Sequence, residues 1–371
     1  MVKHKFSPLA RVSILLLVPV AQVIAAPHIA TPTQDNVRYV GSVTCQSSMC
    51  HGGASPSRNQ FTIWSRDDFH SRAYATLTTA RSTRIAEGVG IANAGTDARC
   101  TICHAPLACT GNLAKTALPS EGVSCENCHG AAEFWLRGHT RTDWTYADRV
   151  HAGMADLRSA YVRAETCVKC HQIIDPALLK AGHPELTFEL DGQSASEPRH
   201  WKEKEDWFGP KAWLVGQAVA LSSISTDIHA EGRLDLRPEQ NALFWLLQQV
   251  PEVKADNVTT DREPVIAVWS HDLAQTFSKQ AWNADMTGRT LAALAGTSSG
   301  FTDNGVPKDE RELRAERLVL GLDRLFKAVH DDKAAPGSAE LAALFPLVQD
   351  RTRFDPQAFA AQLQKFAAAI K

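Results

Sequence analysis

Cys125-Glu126-Asn127-Cys128-His129 places two cysteines three positions apart and a histidine directly after the second. The same form recurs at Cys100-Thr101-Ile102-Cys103-His104 and at Cys167-Val168-Lys169-Cys170-His171. With 9 Cys and 14 His among 371 residues, composition alone would produce about 0.01 such matches, so three are not an accident. C-x-x-C-H is the attachment pattern of c-type haem. Two thiols add across the haem vinyl groups as thioethers, and the adjacent histidine is brought beneath the ring as an iron ligand. A fourth segment, Cys45-Gln46-Ser47-Ser48-Met49-Cys50-His51, separates its cysteines by four residues but ends in the same Cys-His pair, and it reads as a longer variant of the site. The expected cofactor content is four covalently bound haem c, held by Cys45, Cys50, Cys100, Cys103, Cys125, Cys128, Cys167 and Cys170. His51, His104, His129 and His171 are the proximal ligands.

Other uses of these cysteines explain less. Structural zinc could take C-x-x-C pairs, but four Cys-His endings would then be incidental. Disulfides would use the thiols and leave the histidines without a reason. Cys109 is the odd thiol, expected as a small buried residue near a haem edge.

Four irons with two protein ligands each need four distal groups. Beyond the initiator the methionines are Met49, Met154 and Met286, and Met49 lies inside an attachment loop. Histidine is plentiful: His28, His70, His139, His151, His183, His200, His229, His271 and His330 remain after the proximal four and the leader. Bis-histidine ligation is the default on this count, with fairly negative potentials, because an axial Met is what raises them.

The chain has 39 basic and 41 acidic residues, no cationic excess for a phosphate backbone, and nucleic acid is not an expected partner. Its first 25 residues carry Lys3, Lys5 and Arg11 and no acid, then an apolar stretch from Val12 to Ile24, which is the pattern of a secretory signal peptide cleaved near Ala25. The apolar stretch is too short to span a membrane, and no later one is apolar enough. The mature protein is expected in the periplasm with a net charge near −5. Eight haem propionates would add to that negative field, with Arg137, Arg141, Arg158 and Arg163 as candidates to pair with them.

Three segments are expected: residues 1–25 as signal peptide, 26–208 as a tetrahaem cytochrome c domain, and 209–371 as a C-terminal helical region. In the second, Gly and Pro breaks leave few periodic stretches, since porphyrins can serve as the apolar core. Short helical turns are expected at 67–77 and 165–170. After the polar stretch 191–206, amphipathic helices are expected over 211–225, 239–250 with Pro238 in the first turn, 265–281, 286–295 and 310–329. Asp355-Pro356 opens a last helix as N-cap and N1. The fold class is mainly α: a multihaem cytochrome c fold with little regular sheet, its core formed by haems, followed by a C-terminal helical region.

Several blocks carry a resemblance: Tyr39-Val40-Gly41-Ser42, Trp64 with Asp68-Phe69-His70-Ser71-Arg72-Ala73-Tyr74, Gly122-Val123-Ser124 leading into the Cys125 motif and Gly130, and Ala181-Gly182-His183-Pro184. Together they resemble the tetrahaem cytochrome c-554 family over roughly residues 37–205, in a longer variant with an extra helical region. The resemblance implies an electron carrier around nitrogen-oxide and hydroxylamine metabolism with closely paired haems. It implies that His70 reaches the haem of His129, that His139 reaches the haem of His51, and that the haem of His104 keeps an open iron face. Tyr161-Val162 occupies the place of the fourth distal histidine, leaving His183 and then His151 as candidates, with His200 behind them. Trp269-Ser270-His271-Asp272-Leu273 reads as a lost haem site or as helix surface.

Two function classes remain at this level. One is a periplasmic relay passing electrons between redox partner proteins. The other is a haem enzyme acting on a small nitrogen species at the open face above His104. No Ser/His/Asp, paired-carboxylate or phosphate-loop motif offers other chemistry. The C-terminal helices are expected to pack against one flank of the haem array and to serve partner docking.

Overall fold

The computed structural model describes residues 37–255, 258, 263–330 and 335–371. The expected signal peptide, its cleavage point near Ala25 and His28 lie outside the described residues. Among the described residues there is no sheet, only an isolated parallel bridge between Tyr39 and Leu113. No described helix is long and apolar enough to cross a membrane.

The first part of the chain carries α1 (Gln60–Asp67), α2 (Ala73–Thr76), α3 (Ala80–Gly88), α4 (Ala98–His104), α5 (Cys125–His129), α6 (Tyr146–His151), α7 (Ala160–His171), α8 (Pro176–Lys180) and α9 (Leu190–Ser196). Apart from α7 these helices have nine residues or fewer, and each C-x-x-C-H motif lies on a helix that ends at its histidine. Side-chain caps fix where those helices begin: the Asp97 carboxylate accepts the Arg99 N–H before α4, and the Ser159 hydroxyl accepts the Val162 N–H before α7. Asn127, between the cysteines of the third motif, closes a capping box with Ser124 at the start of α5.

The second part carries α10 (Phe208–Glu231), α11 (Arg237–Gln248), α12 (Glu263–Lys279), α13 (Ala284–Ala295), α14 (Ser299–Thr302), α15 (Lys308–Val329), α16 (Ser338–Ala342), α17 (Phe345–Val348) and α18 (Pro356–Ala369). The Asp355 carboxylate caps α18, accepting the Gln357 and Ala358 N–H groups, with Pro356 in the first turn. In α10 the structure departs from an amphipathic helix over 211–225. It is longer, and its sides are buried almost continuously from Phe208 to Leu221 because α7, α9, α11, α12 and α15 surround it. Gly216 lets α9 approach α10, since a Cβ there would sit 2.8 Å from the Leu190 Cβ.

The main apolar core reaches back across position 208. Ala160, Ala164 and Val168 of α7, with Phe188 and Leu190, share it with Trp213, Leu246, Leu322 and Phe359. Polar ties reinforce this seam: the Ser159 and Ser278 hydroxyls are 3.0 Å apart, Gln172 donates to the Ala220 carbonyl, and Arg324 pairs with Asp191 at 2.6 Å. Thus the helix bearing the fourth motif is anchored directly on the helical region.

Candidate haem-binding site

Four pairs of histidine rings stand at nearly one separation. The centroid distances are 6.1 Å for His51 and His139, 6.0 Å for His70 and His171, 6.4 Å for His104 and His183, and 6.3 Å for His129 and His200. Each pair joins one motif histidine to one histidine from elsewhere in the chain. With metal–imidazole bonds of about 2.0 Å and ring centroids roughly 1.1 Å behind the ligating nitrogen, two axial ligands on one iron would stand about 6.2 Å apart. The residues present therefore fit a metal held between each pair, and the adjacent cysteines supply the thiols that a c-type haem requires.

The other ring nitrogens support the same fit. Nδ1 of His51 lies 3.1 Å from the Gln60 amide oxygen, Nδ1 of His139 lies 2.5 Å from the Leu136 carbonyl, and Nδ1 of His183 lies 2.8 Å from the Pro184 carbonyl. Nδ1 of His104 reaches both the Ala73 carbonyl at 3.2 Å and the Thr76 hydroxyl at 3.0 Å. An N–H donated from Nδ1 fixes the tautomer and leaves Nε2 as the ligating atom. His70 differs in kind, with its Nδ1 3.0 Å from a buried carboxylate oxygen of Asp68. His200 Nδ1 is buried and turned toward the Pro198 carbonyl without closing a hydrogen bond.

Burial sets the proton state of the rings. It pushes His129 down to about 4, helped by the neighbouring His200, His51 and His139 rings, and it lowers His104, His171 and His200 as well. Neutral imidazole is the form that ligates metal. His70 moves the other way, raised chiefly by its hydrogen bond to Asp68.

The motifs adjoin in a definite order. The Cys45 and Cys125 thiols are close neighbours, as are those of Cys103 and Cys170, while Cys128 lies close to Cys167 and Cys170. First and third motifs are neighbours, third and fourth are neighbours, and fourth and second are neighbours. Among the described residues no two of the nine cysteines form a disulfide.

Glu126 holds the first motif against the third. Its buried carboxylate accepts the Val40, Gly41 and Ala132 N–H groups at 2.9, 2.7 and 2.7 Å. Burial raises its proton affinity and those three donors offset part of the rise. Gly122 serves a similar seam. At φ +79° it passes so close to the His70 segment that a Cβ would meet the His70 carbonyl at 2.5 Å, and the same carbonyl accepts the Val123 N–H.

The placement of the distal candidates differs in part from what the resemblance implied. His139 faces His51. His70 faces His171, not His129, and His183 faces His104, so the ring expected to leave an open face has a histidine opposite it. His151 is exposed at the end of α6, away from the four pairs, and His200 stands opposite His129 in its place. Cys109 is exposed, not buried, with its sulfur 3.3 Å from the Thr101 hydroxyl. His271 lies on α12 with its ring against Tyr161. Of the arginines considered for propionates, Arg163 is committed to Glu203, the Leu157 carbonyl and the Trp201 and Phe208 rings, Arg141 pairs with Asp143, and Arg158 lies over the Tyr146 ring.

Asp68 and Glu126 were not foreseen as site residues. Their signal was present: Glu126 is the acidic residue inside the third motif, and Asp68 stands two residues before a ligand candidate.

Residues 44–130 match the family model described as cytochrome c554 and c-prime. This segment is similar to the cytochrome c554 family. Together with the C-x-x-C-H motifs, the match supports a c-type cytochrome of electron transfer with covalently bound haem c. The match covers the first three motifs, and the fourth motif and the helical region lie beyond it. Comparison with curated proteins and with solved structures returned no match for the chain.

Proposed function

We propose that this cytochrome carries four haems, each held between two histidines, and relays electrons between redox partner proteins without binding substrate at iron. The observation that carries this reading is the set of four ring pairs separated by 6.0 to 6.4 Å. When bound, haem supplies reversible one-electron chemistry at iron. Every other task falls to the chain. His51 with His139, His104 with His183, His129 with His200 and His171 with His70 would hold the four irons. Backbone carbonyls and Gln60 orient their rings, and Glu126 fixes the spacing of the first and third motifs.

The adjacency of the motifs supports a single track running first, third, fourth, second. His183 opposite His104 favours the carrier over an enzyme with an open iron face, the reading that the family resemblance left in play. The basic and then apolar start of the sequence and the cysteines in C-x-x-C-H form are consistent with export and maturation in the periplasm, and the resemblance links the carrier to nitrogen-oxide and hydroxylamine metabolism. We also propose residues 26–208 as the haem domain, with α7 docking it onto the helical region 209–371.

Intact mass and pyridine haemochrome assays of the matured protein test the reading. Four haems per chain, with an oxidised and a reduced spectrum that nitric oxide leaves unchanged on mixing, are expected. Fewer than four haems, or a reduced spectrum that nitric oxide converts at once at one haem, would contradict it.

A further inference from the structure

The four ligand pairs are not equivalent in what stands behind their rings. Neutral acceptors face Nδ1 of His51, His104, His139 and His183. Behind His70 is a carboxylate. One oxygen of Asp68 accepts both the His70 backbone N–H at 2.9 Å and the ring Nδ1–H at 3.0 Å, and the residue is only 3% exposed. A second carboxylate, Glu197, stands 3.9 Å from the same nitrogen. The ligand atoms of Asp68, His70 and Glu197 all lie within 4.8 Å of one another.

A carboxylate behind a metal-bound imidazole raises its basicity and lends it anionic character, and low surrounding dielectric strengthens the effect. More negative charge at the ligand favours ferric over ferrous iron. We infer that Asp68 is a positioning residue that orients His70 and makes the iron between His70 and His171 the hardest of the four to reduce. The inference rests on the bis-histidine reading above. It also gives the array an internal asymmetry. The fourth motif lies between the third and the second, so a partly reduced molecule keeps its electrons on either side of this position and passes them through it only transiently.

Asp68→Asn separates this role from a structural one. Asn keeps an oxygen that can accept the His70 backbone N–H, so the local cap survives while the charge is removed. The experiment is a redox titration of the holoprotein followed by electron paramagnetic resonance, on wild type, His70→Ala and Asp68→Asn. His70→Ala identifies the component by converting one low-spin signal to high spin. If it converts none, the ligand reading fails at this haem. In wild type the identified component is expected to reduce last of the four. In Asp68→Asn it is expected to shift positive by about tenfold in its ferric-to-ferrous ratio at fixed potential, about 59 mV for a one-electron couple, while the other three stay in place. An identified component that does not reduce last in wild type, or that holds its potential in a four-haem Asp68→Asn protein, overturns the inference and leaves the ligand assignment intact.

Discussion

Between residues 37 and 159 the buried apolar side chains larger than alanine are Val37, Leu77, Ile91, Leu107 and Trp135. α10 alone buries Phe208, Trp213, Leu214, Val215, Val219, Leu221, Ile224 and Ile228. Since stabilisation grows with buried apolar surface, the second region has its own core, while the short helices of the first are expected to depend on what its cysteines hold. On this contrast, one part of the chain is expected to depend on cofactor attachment and the other is not. α7 joins them, carrying Cys167, Cys170 and His171 toward the motif side while Ala160, Ala164 and Val168 pack into the helical core.

The largest effect should come from removing one attachment site. Replacing Cys125 and Cys128 by alanine is expected to lose one haem by mass and to open the whole stretch 37–159 to limited proteolysis, with a resistant fragment covering α10 to α18. Protection of the first region in that variant would show that it has a sufficient core of its own and would break the contrast.

A smaller effect sharpens the contrast at the seam, where Glu189 at the start of α9 packs against α10 and stability should follow ordinary linkage. Burial pushes the Glu189 carboxyl up to about 7, aided by Asp191 and opposed by the Gly192 and Asp191 N–H groups it caps and by Arg324. Because the folded value lies above the unfolded one, the stabilising contribution is fully present below pH 4.5 and is lost as pH rises through 7. Urea denaturation of the holoprotein, followed by circular dichroism, is expected to show on the order of 2 kcal/mol less stability at pH 8 than at pH 5 from this group. Glu189→Gln should flatten that dependence. An equal slope in the variant would remove Glu189 as its source.

The contrast also explains what could be read without coordinates. The helices expected over 239–250, 265–281, 286–295 and 310–329 appear as Arg237–Gln248, Glu263–Lys279, Ala284–Ala295 and Lys308–Val329, since an apolar stripe and a cap are local features. α10 was underestimated because a helix buried on all sides has no polar stripe to set its ends. Its Lys211 is hidden by pairing with Glu205, and its Gln217 by lying against Arg317. The attachment motifs are local patterns, so the sequence displays them directly. The partner of each motif histidine was not, because the approach of His70 to His171, or of His200 to His129, depends on how segments tens of residues apart settle around the motifs. Glu126 acts across comparable distances, on the 40–41 backbone, whereas Asp68 acts locally on His70 two residues along, a spacing visible in the sequence.

The central claim is that each of four irons sits between two histidines, and it has a direct spectroscopic consequence. The His51 and His139 ring planes lie 14° apart, whereas the other pairs cross at 80°, 72° and 61°. Near-parallel axial imidazole planes give an ordinary rhombic low-spin signal, and steeply crossed planes give a highly anisotropic one. Quantitative low-temperature electron paramagnetic resonance of the fully oxidised protein, integrated against total iron, should therefore show only low-spin ferric haem, one part rhombic to three parts highly anisotropic. A stoichiometric high-spin signal, one iron in four, would mean that a motif histidine lacks the partner assigned to it and would contradict the account.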